Sequence, residues 1–177
     1  MSKKRVGKIH EIVKYPDPVL AKPGETVTVF DAALKQLVEE MFESMYVAQG
    51  IGLAAPQINI SQRITVIDVS FKKNPKEKLV LINPEIIDRT GKTVEEEGCL
   101  SLPDIREKVT RAEWVKVRAQ DVNGEWFEVE GEELLARAFQ HETDHLNGTL
   151  YISHISPLKR DLIRRKIRKL QKANEWG

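Results

Sequence analysis

The chain has a single cysteine, Cys99, among its 177 residues, so no intrachain disulfide can form. A lone thiol fits a reducing compartment. No apolar run approaches the ~18 residues needed to span a bilayer, so the sequence predicts no membrane helix. The opening stretch MSKKRVGKIHEIVKYPDP is basic but lacks an apolar core, so no secretory signal is expected. It is also too short and too tolerant of acids for a transit peptide. An excess of charge of either sign is missing as well. The formal net charge is +1, which gives the whole molecule no pull toward DNA. These absences together predict a cytoplasmic protein without a membrane or a cognate DNA partner.

What is present is the composition of a globular domain, 41% hydrophobic and 31% charged. At this length a folded chain buries roughly 70% of its unfolded surface, enough for one core without staples. Asp31 is placed to cap a helix in which Leu34, Leu37, Val38, Met41, Phe42 and Met45 recur at threes and fours, with Gly50 as its C-cap. A loop, GIGLAAPQ (Gly50 to Gln57), is expected next. RITVIDVS, KLVLINPEIID and KTVEEE then read as strands, interrupted by EGCLSLPD. EWVKVRAQDVNGEWFEVEG reads as a hairpin turning at Asn123-Gly124. From Glu132 to about Asn147 the period becomes helical, and SPLKRDLIRRKIRKLQK forms a last, basic helix opening with Pro157. Strands without βαβ alternation predict an α+β fold, mainly antiparallel. The chain is expected to be one domain: a catalytic part over residues 1–156, with the helix of 157–177 belonging to it.

The penultimate helix carries QHETDHLNG, with His141 and His145 one turn apart and Glu142 beside them. Leu134, Ala138, His141 and His145 form one stripe; Leu135, Phe139, Glu142 and Leu146 form the next. This broad apolar face predicts a helix buried on the sheet with both imidazoles inward. Hydrogen-bonded core histidines are the plain alternative. A carboxylate buried between two imidazoles, however, needs a cation or strong partners to offset its desolvation.

Two imidazoles need a third ligand. A peptidase of the HExxHxxGxxH type would carry a histidine where this chain has Tyr151, and all three methionines precede the site. The only later glutamate is Glu175. His154 stays open as a ligand. Cys99, in EEEGCLSLP, is the remaining soft donor, and it follows a glycine that lets backbone approach closely. A thiolate and two imidazoles make a three-ligand site that keeps a fourth position for water.

GIGLAAPQ, EGCLS and QHETDH, in this order and spacing, resemble the three signature motifs of the peptide deformylase family, in its bacterial form. The resemblance runs from YPDPVL through the metal helix. It implies a sheet-packed HExxH helix at the centre, flanked by an amphipathic N-terminal helix and a basic C-terminal one. It implies hydrolysis of the formyl group from N-formylmethionyl nascent peptides, with Cys99, His141 and His145 holding one divalent ion. The water activated there attacks the formyl carbon, with Glu142 as general base and then acid. The Gln57 amide and the Leu100 N–H are implied as oxyanion donors. Gly52 and Gly98 would let the substrate approach as an added strand, Ile51 would line the methionine pocket, and Arg106 would lie near the peptide path. The resemblance implies Fe²⁺, replaceable by Zn²⁺, Ni²⁺ or Co²⁺, although the ligands alone suit zinc.

Glu97 is expected in an ion pair, with Arg111 as the candidate partner; Glu95 either stands near the methionine-pocket rim or faces water. The last helix carries Lys159, Arg160, Arg164, Arg165, Lys166, Arg168, Lys169 and Lys172 against Asp161, with Leu162, Ile163, Ile167 and Leu170 for docking. Such a basic stripe suits association with the ribosome. A metallopeptidase and a ribosome-binding module with a structural metal are the competing classes.

Overall fold

The computed structural model describes residues 7–177, so the basic opening MSKKRV lies outside the described residues. Helix α1 spans Ala32–Val47, and Asp31 Oδ1 caps it by accepting from Leu34 N at 3.0 Å. Leu34, Val38, Met41, Phe42 and Met45 fill one core with Ile64, Val66 and Ile82. The helix ends differently from expectation. Gln49, not Gly50, takes the left-handed conformation, at φ 62°. Gln49 N then donates to Tyr46 O and Gly50 N to Met45 O, the paired bonds that close many helices. Gly50 serves contact instead: a Cβ there would lie 2.7 Å from Leu100 Cδ1.

The expected loop after α1 contains a short strand, β1 (Gly52–Ala54), and a 3₁₀ turn over Ala55–Ile58. With β2 (Ile64–Ile67), β3 (Leu79–Thr90), β6 (Trp114–Gln120) and β7 (Trp126–Glu132) it forms a five-stranded antiparallel sheet, in the order β1-β2-β3-β6-β7. Strands β4 (Thr93–Cys99) and β5 (Leu102–Arg111) pair with each other as a separate two-stranded sheet. EGCLSLPD therefore does not interrupt the strands. It is the tip of this hairpin, where the register shifts between Gly98↔Arg106 and Cys99↔Leu102. A bulge of this kind bends a strand and re-aims its last side chain. The β6–β7 hairpin turns as expected, with Gly124 at φ 82° and Asp121 Oδ1 accepting from Asn123 N and Glu125 N.

Helix α2 (Glu133–Leu146) packs on β1, β2, β6 and β7. Ala138, Phe139, Glu142, His145 and Leu146 are buried, but Leu134 is 51% exposed. The first of the two expected stripes thus begins outside the core, one turn before Ala138. Gly148, at φ 77°, closes the helix, and Thr149 N donates to Asp144 O at 2.9 Å. Helix α3 (Pro157–Lys172) is capped by Ser156 Oγ accepting from Lys159 N. Ile163 and Ile167 pack with Leu102, Tyr151 and Ile152, whereas Leu162 is 55% exposed. No helix among the described residues is long and apolar enough to cross a membrane.

Candidate metal centre

Bending at the β4–β5 tip aims Cys99 at the two histidines of α2. The donor atoms of Cys99, His141 and His145 all lie within 4.8 Å of one another. Cys99 Sγ is 3.4 Å from His145 Nε2. His141 Nδ1 donates to Glu97 Oε1 at 3.0 Å, which fixes the ring's tautomer and leaves Nε2 for another partner. His145 is 1% exposed, and its Nδ1 has no hydrogen-bond partner among the described residues.

Without a cation the two imidazoles are driven apart electrostatically. Burial, the positive His141 and Arg111 all hold His145 well below its ordinary range. Burial also opposes charge on His141, but hydrogen bonds to Cys99 and Glu97 outweigh it and hold that ring well above its ordinary range. A divalent cation shared by Cys99 Sγ and one nitrogen of each ring would relieve that conflict. One soft sulfur and two imidazole nitrogens are the donor set of a three-ligand catalytic site for a divalent metal. The residues fit such an ion.

Around these donors lies a groove of about 720 Å³ that Gln57, Cys99, Leu100, His141 and Glu142 help to line. Glu142 reaches into it from α2, and Thr65 Oγ1 lies 3.3 Å from its Oε2. Burial, with Glu97 and Asp144 nearby, raises the Glu142 carboxyl to about 7 despite the opposing pull of His141 and Thr65. Gly52 faces the same carboxylate: a Cβ there would lie 2.6 Å from Glu142 Oε1. Gln57 is oriented from behind, since its Oε1 accepts from Ala54 N at 3.0 Å. Its Nε2 consequently points at Ser101 Oγ (3.2 Å) and Cys99 Sγ (3.6 Å). Ile51, Gly52, Gly98 and Arg106 also line the groove. Arg106 sits on its exposed rim, paired with Glu96 at 2.8 Å.

Two open alternatives are decided here. Among the described residues His154 joins no metal cluster. It bonds to Asp144 at 2.8 Å and lines a different cavity, because the chain turns away from the site after Gly148. Glu95 is exposed and does not line the groove, whereas Glu96 and Glu97 do. Tyr151, standing where a longer metal motif would have histidine, stacks on the His141 ring (centroids 6.0 Å, 25°) and donates to Ile105 O at 3.0 Å.

Other contributors were not foreseen. Glu97 does pair with Arg111, at 2.9 and 3.1 Å, but it also holds His141 and meets Arg137 at 3.4 Å. Arg137 runs under β4, donating to Thr93 Oγ1 and Glu95 O, and to Val109 O on β5. Thr65 carries no sequence signal, being one more β-branched residue in a buried strand. Asp144 could have been noticed inside HETDH, but its partner Arg111 lies 33 residues away.

Comparison with known proteins agrees along nearly the whole chain. The family model described as polypeptide deformylase matches residues 9–161. A peptide deformylase of Acidobacterium capsulatum is 70% identical over 168 residues, covering 95% of this chain and 99% of that protein. One from Chromobacterium violaceum is 50% identical, covering 92% and 96%. The crystal structure of a peptide deformylase from Legionella pneumophila matches with a TM-score of 0.88 at 46% identity, covering 96% and 99%. A Plasmodium falciparum peptide deformylase structure matches at 0.86 and 42%, covering 92% and 96%.

Proposed function

The chain belongs to the polypeptide deformylase family, and from that membership we propose how its own residues divide the work. The activity is metal-dependent hydrolysis of the N-formyl amide of formylmethionyl nascent peptides, releasing formate. The observation that carries the assignment of residues is the convergence of Cys99, His141 and His145 donors within 4.8 Å, beside Glu142 in one groove.

Cys99, His141 and His145 hold the metal, on the sheet-packed helix α2 and the β4–β5 tip. When bound, the cation supplies Lewis-acid activation of water near neutral pH. Glu142 takes a proton from the attacking water and later gives one to the departing amine nitrogen. The carboxyl lines the groove beside the ligands, where it can reach both the water and the leaving nitrogen. Gln57 Nε2 and the Leu100 N–H donate to the oxyanion formed as the formyl carbon becomes tetrahedral. Gln57 needs no reorganisation for this, because Ala54 N already holds its oxygen. Gly52 and Gly98 leave backbone open for an extended substrate, Ile51 lines the pocket for the methionine side chain, and Arg106 at the rim meets the peptide further along.

The metal is Fe²⁺ in this reading, which rests on the family resemblance, with Zn²⁺, Ni²⁺ or Co²⁺ able to replace it. The described residues up to 156 and helix α3 form one domain, since Ile163 and Ile167 share a core with Leu102 and Tyr151. The exposed basic side of α3 associates with ribosomal phosphates, and the protein works in the cytoplasm. Co-sedimentation with ribosomes across a salt series tests this; unchanged binding after deletion of 158–177 rules the helix out.

Incubation of the iron- or nickel-loaded protein with formyl-Met-Ala-Ser, with formate as readout, tests the catalytic roles. Glu142→Ala abolishes formate release while retaining metal if the assignment holds. Formate release at the wild-type rate from that variant removes Glu142 from the mechanism.

A further inference from the structure

The hydrogen bonds behind His141 do not stop at Glu97. Arg111, at the end of β5, donates Nε to Glu97 Oε2 (2.9 Å) and Nη2 to Glu97 Oε1 (3.1 Å). Its Nη1 donates to Asp144 Oδ2 at 2.6 Å. His154 Nε2 reaches the same Asp144 oxygen at 2.8 Å. Contacts therefore run unbroken from the His141 ring through Glu97, Arg111 and Asp144 to His154.

Burial falls along this path. The Arg111 side chain is 4% exposed, Asp144 22% and His154 41%. Asp144 and His154 line a cavity of about 610 Å³ that shares Arg111 with the interior. Neither lines the groove that holds Glu142 and Gln57. Whatever Asp144 does to the chemistry, it does without touching substrate.

Arg111 is held between two carboxylates, and Glu97 Oε1 is shared by Arg111 Nη2 and His141 Nδ1. Removing Asp144 leaves Arg111 Nη1, a buried charged donor, without its acceptor, which is costly. The guanidinium then turns to find another acceptor, and Glu97 Oε1 moves with it. A metal-ligating histidine depends on the acceptor behind it for its orientation and basicity. We propose that Asp144 is a positioning residue for His141, acting through Arg111 and Glu97, with His154 holding its outer side. This rests on Cys99, His141 and His145 being the metal ligands.

The experiment uses the Co²⁺-loaded full chain and reads chelator-driven metal loss, the visible absorption bands, and kcat with KM for formyl-Met-Ala-Ser. Asp144→Ala is expected to release metal about tenfold faster, the scale of such supporting contacts. Its absorption bands shift, kcat falls, and KM stays within about twofold of the wild type. Asp144→Asn, which keeps an oxygen opposite Arg111 Nη1, recovers part of the loss. His154→Ala, at the exposed end where folding is not at risk, moves the release rate in the same direction by less. A merely structural role predicts a lower Tm for the metal-free variants with release rate and bands unchanged, and that result overturns the proposal. If Cys99→Ala binds cobalt as firmly as the wild type, the ligand assignment itself is wrong and the positioning role falls with it. Wild-type binding that needs Cys99 but ignores both Asp144 variants sinks the positioning role alone.

Discussion

Gly52→Ala isolates the fit between β1 and Glu142. Gly52 is not in a left-handed conformation, so alanine adds no backbone strain, only one methyl group. That methyl would lie 2.6 Å from Glu142 Oε1, 3.0 Å from Cδ and 3.2 Å from Cγ. Ordinary contact begins near 3.4 Å, so the carboxylate must retreat by roughly 0.8 Å. Glu142 is buried and cannot swing into solvent. Overpacking of this size costs about 1–3 kcal/mol in stability. For a chain of this length that lowers Tm by roughly 2–12 °C. The catalytic effect is larger, because a 1 Å misplacement of a reacting group costs about 10²-fold. The expected kcat with formyl-Met-Ala-Ser is therefore about 10- to 100-fold below wild type, with metal content unchanged, since none of the three ligands is displaced. Steady-state formate release, metal analysis and thermal melting give the three readouts. A variant with kcat within twofold of wild type and an unaltered Tm would refute the reasoning, because the space would then not be limiting.

Gln57→Leu removes an oxyanion donor and should cost about 2.7–4 kcal/mol in the barrier, read as a 10²- to 10³-fold drop in kcat. It also strands the Ala54 N–H, so chemical denaturation should show a loss of about 1–3 kcal/mol. Acid stability should track Glu97. Burial pushes that carboxyl up, but His141 and Arg111 together pull it down to about 2. Its folded value is depressed, so its contribution is full above about 4.5 and is lost as pH falls toward 2. Urea unfolding of the metal-free chain at pH 3, 4 and 5 should show this slope, and Glu97→Gln should flatten it. Chelation of the metal should lower Tm reversibly; metal at a hundredfold excess over its Kd contributes about 2.7 kcal/mol. Differential scanning calorimetry before and after reloading checks it.

Periodicity and spacing along the chain made the local chemistry legible. Asp31 as a cap, the β6–β7 hairpin at Gly124 and the α+β class all follow from nearest neighbours in sequence. Legibility fails where a residue's role is set by something distant in the chain. Gly50 looked like a helix cap because glycine after an amphipathic run usually is one, yet Leu100 occupies the space its Cβ would fill and Gln49 takes the strained backbone. Leu134 and Leu162 matched their stripes by period, but period does not say where the neighbouring elements end. The same limit shaped the site. Cys99, His141 and His145 could be brought together by the chemistry a metal demands, whereas Thr65, Arg137 and Asp144 join the surrounding hydrogen-bond network through contacts no spacing encodes. Tyr151 shows the difference most clearly. Its sequence position told only what it is not, a third histidine. In the fold it stacks on the His141 ring and bonds to Ile105 on β5, tying the helix that carries both imidazoles to the hairpin that carries Cys99. The residue at the position of a third histidine thus links the two elements that bear the candidate ligands.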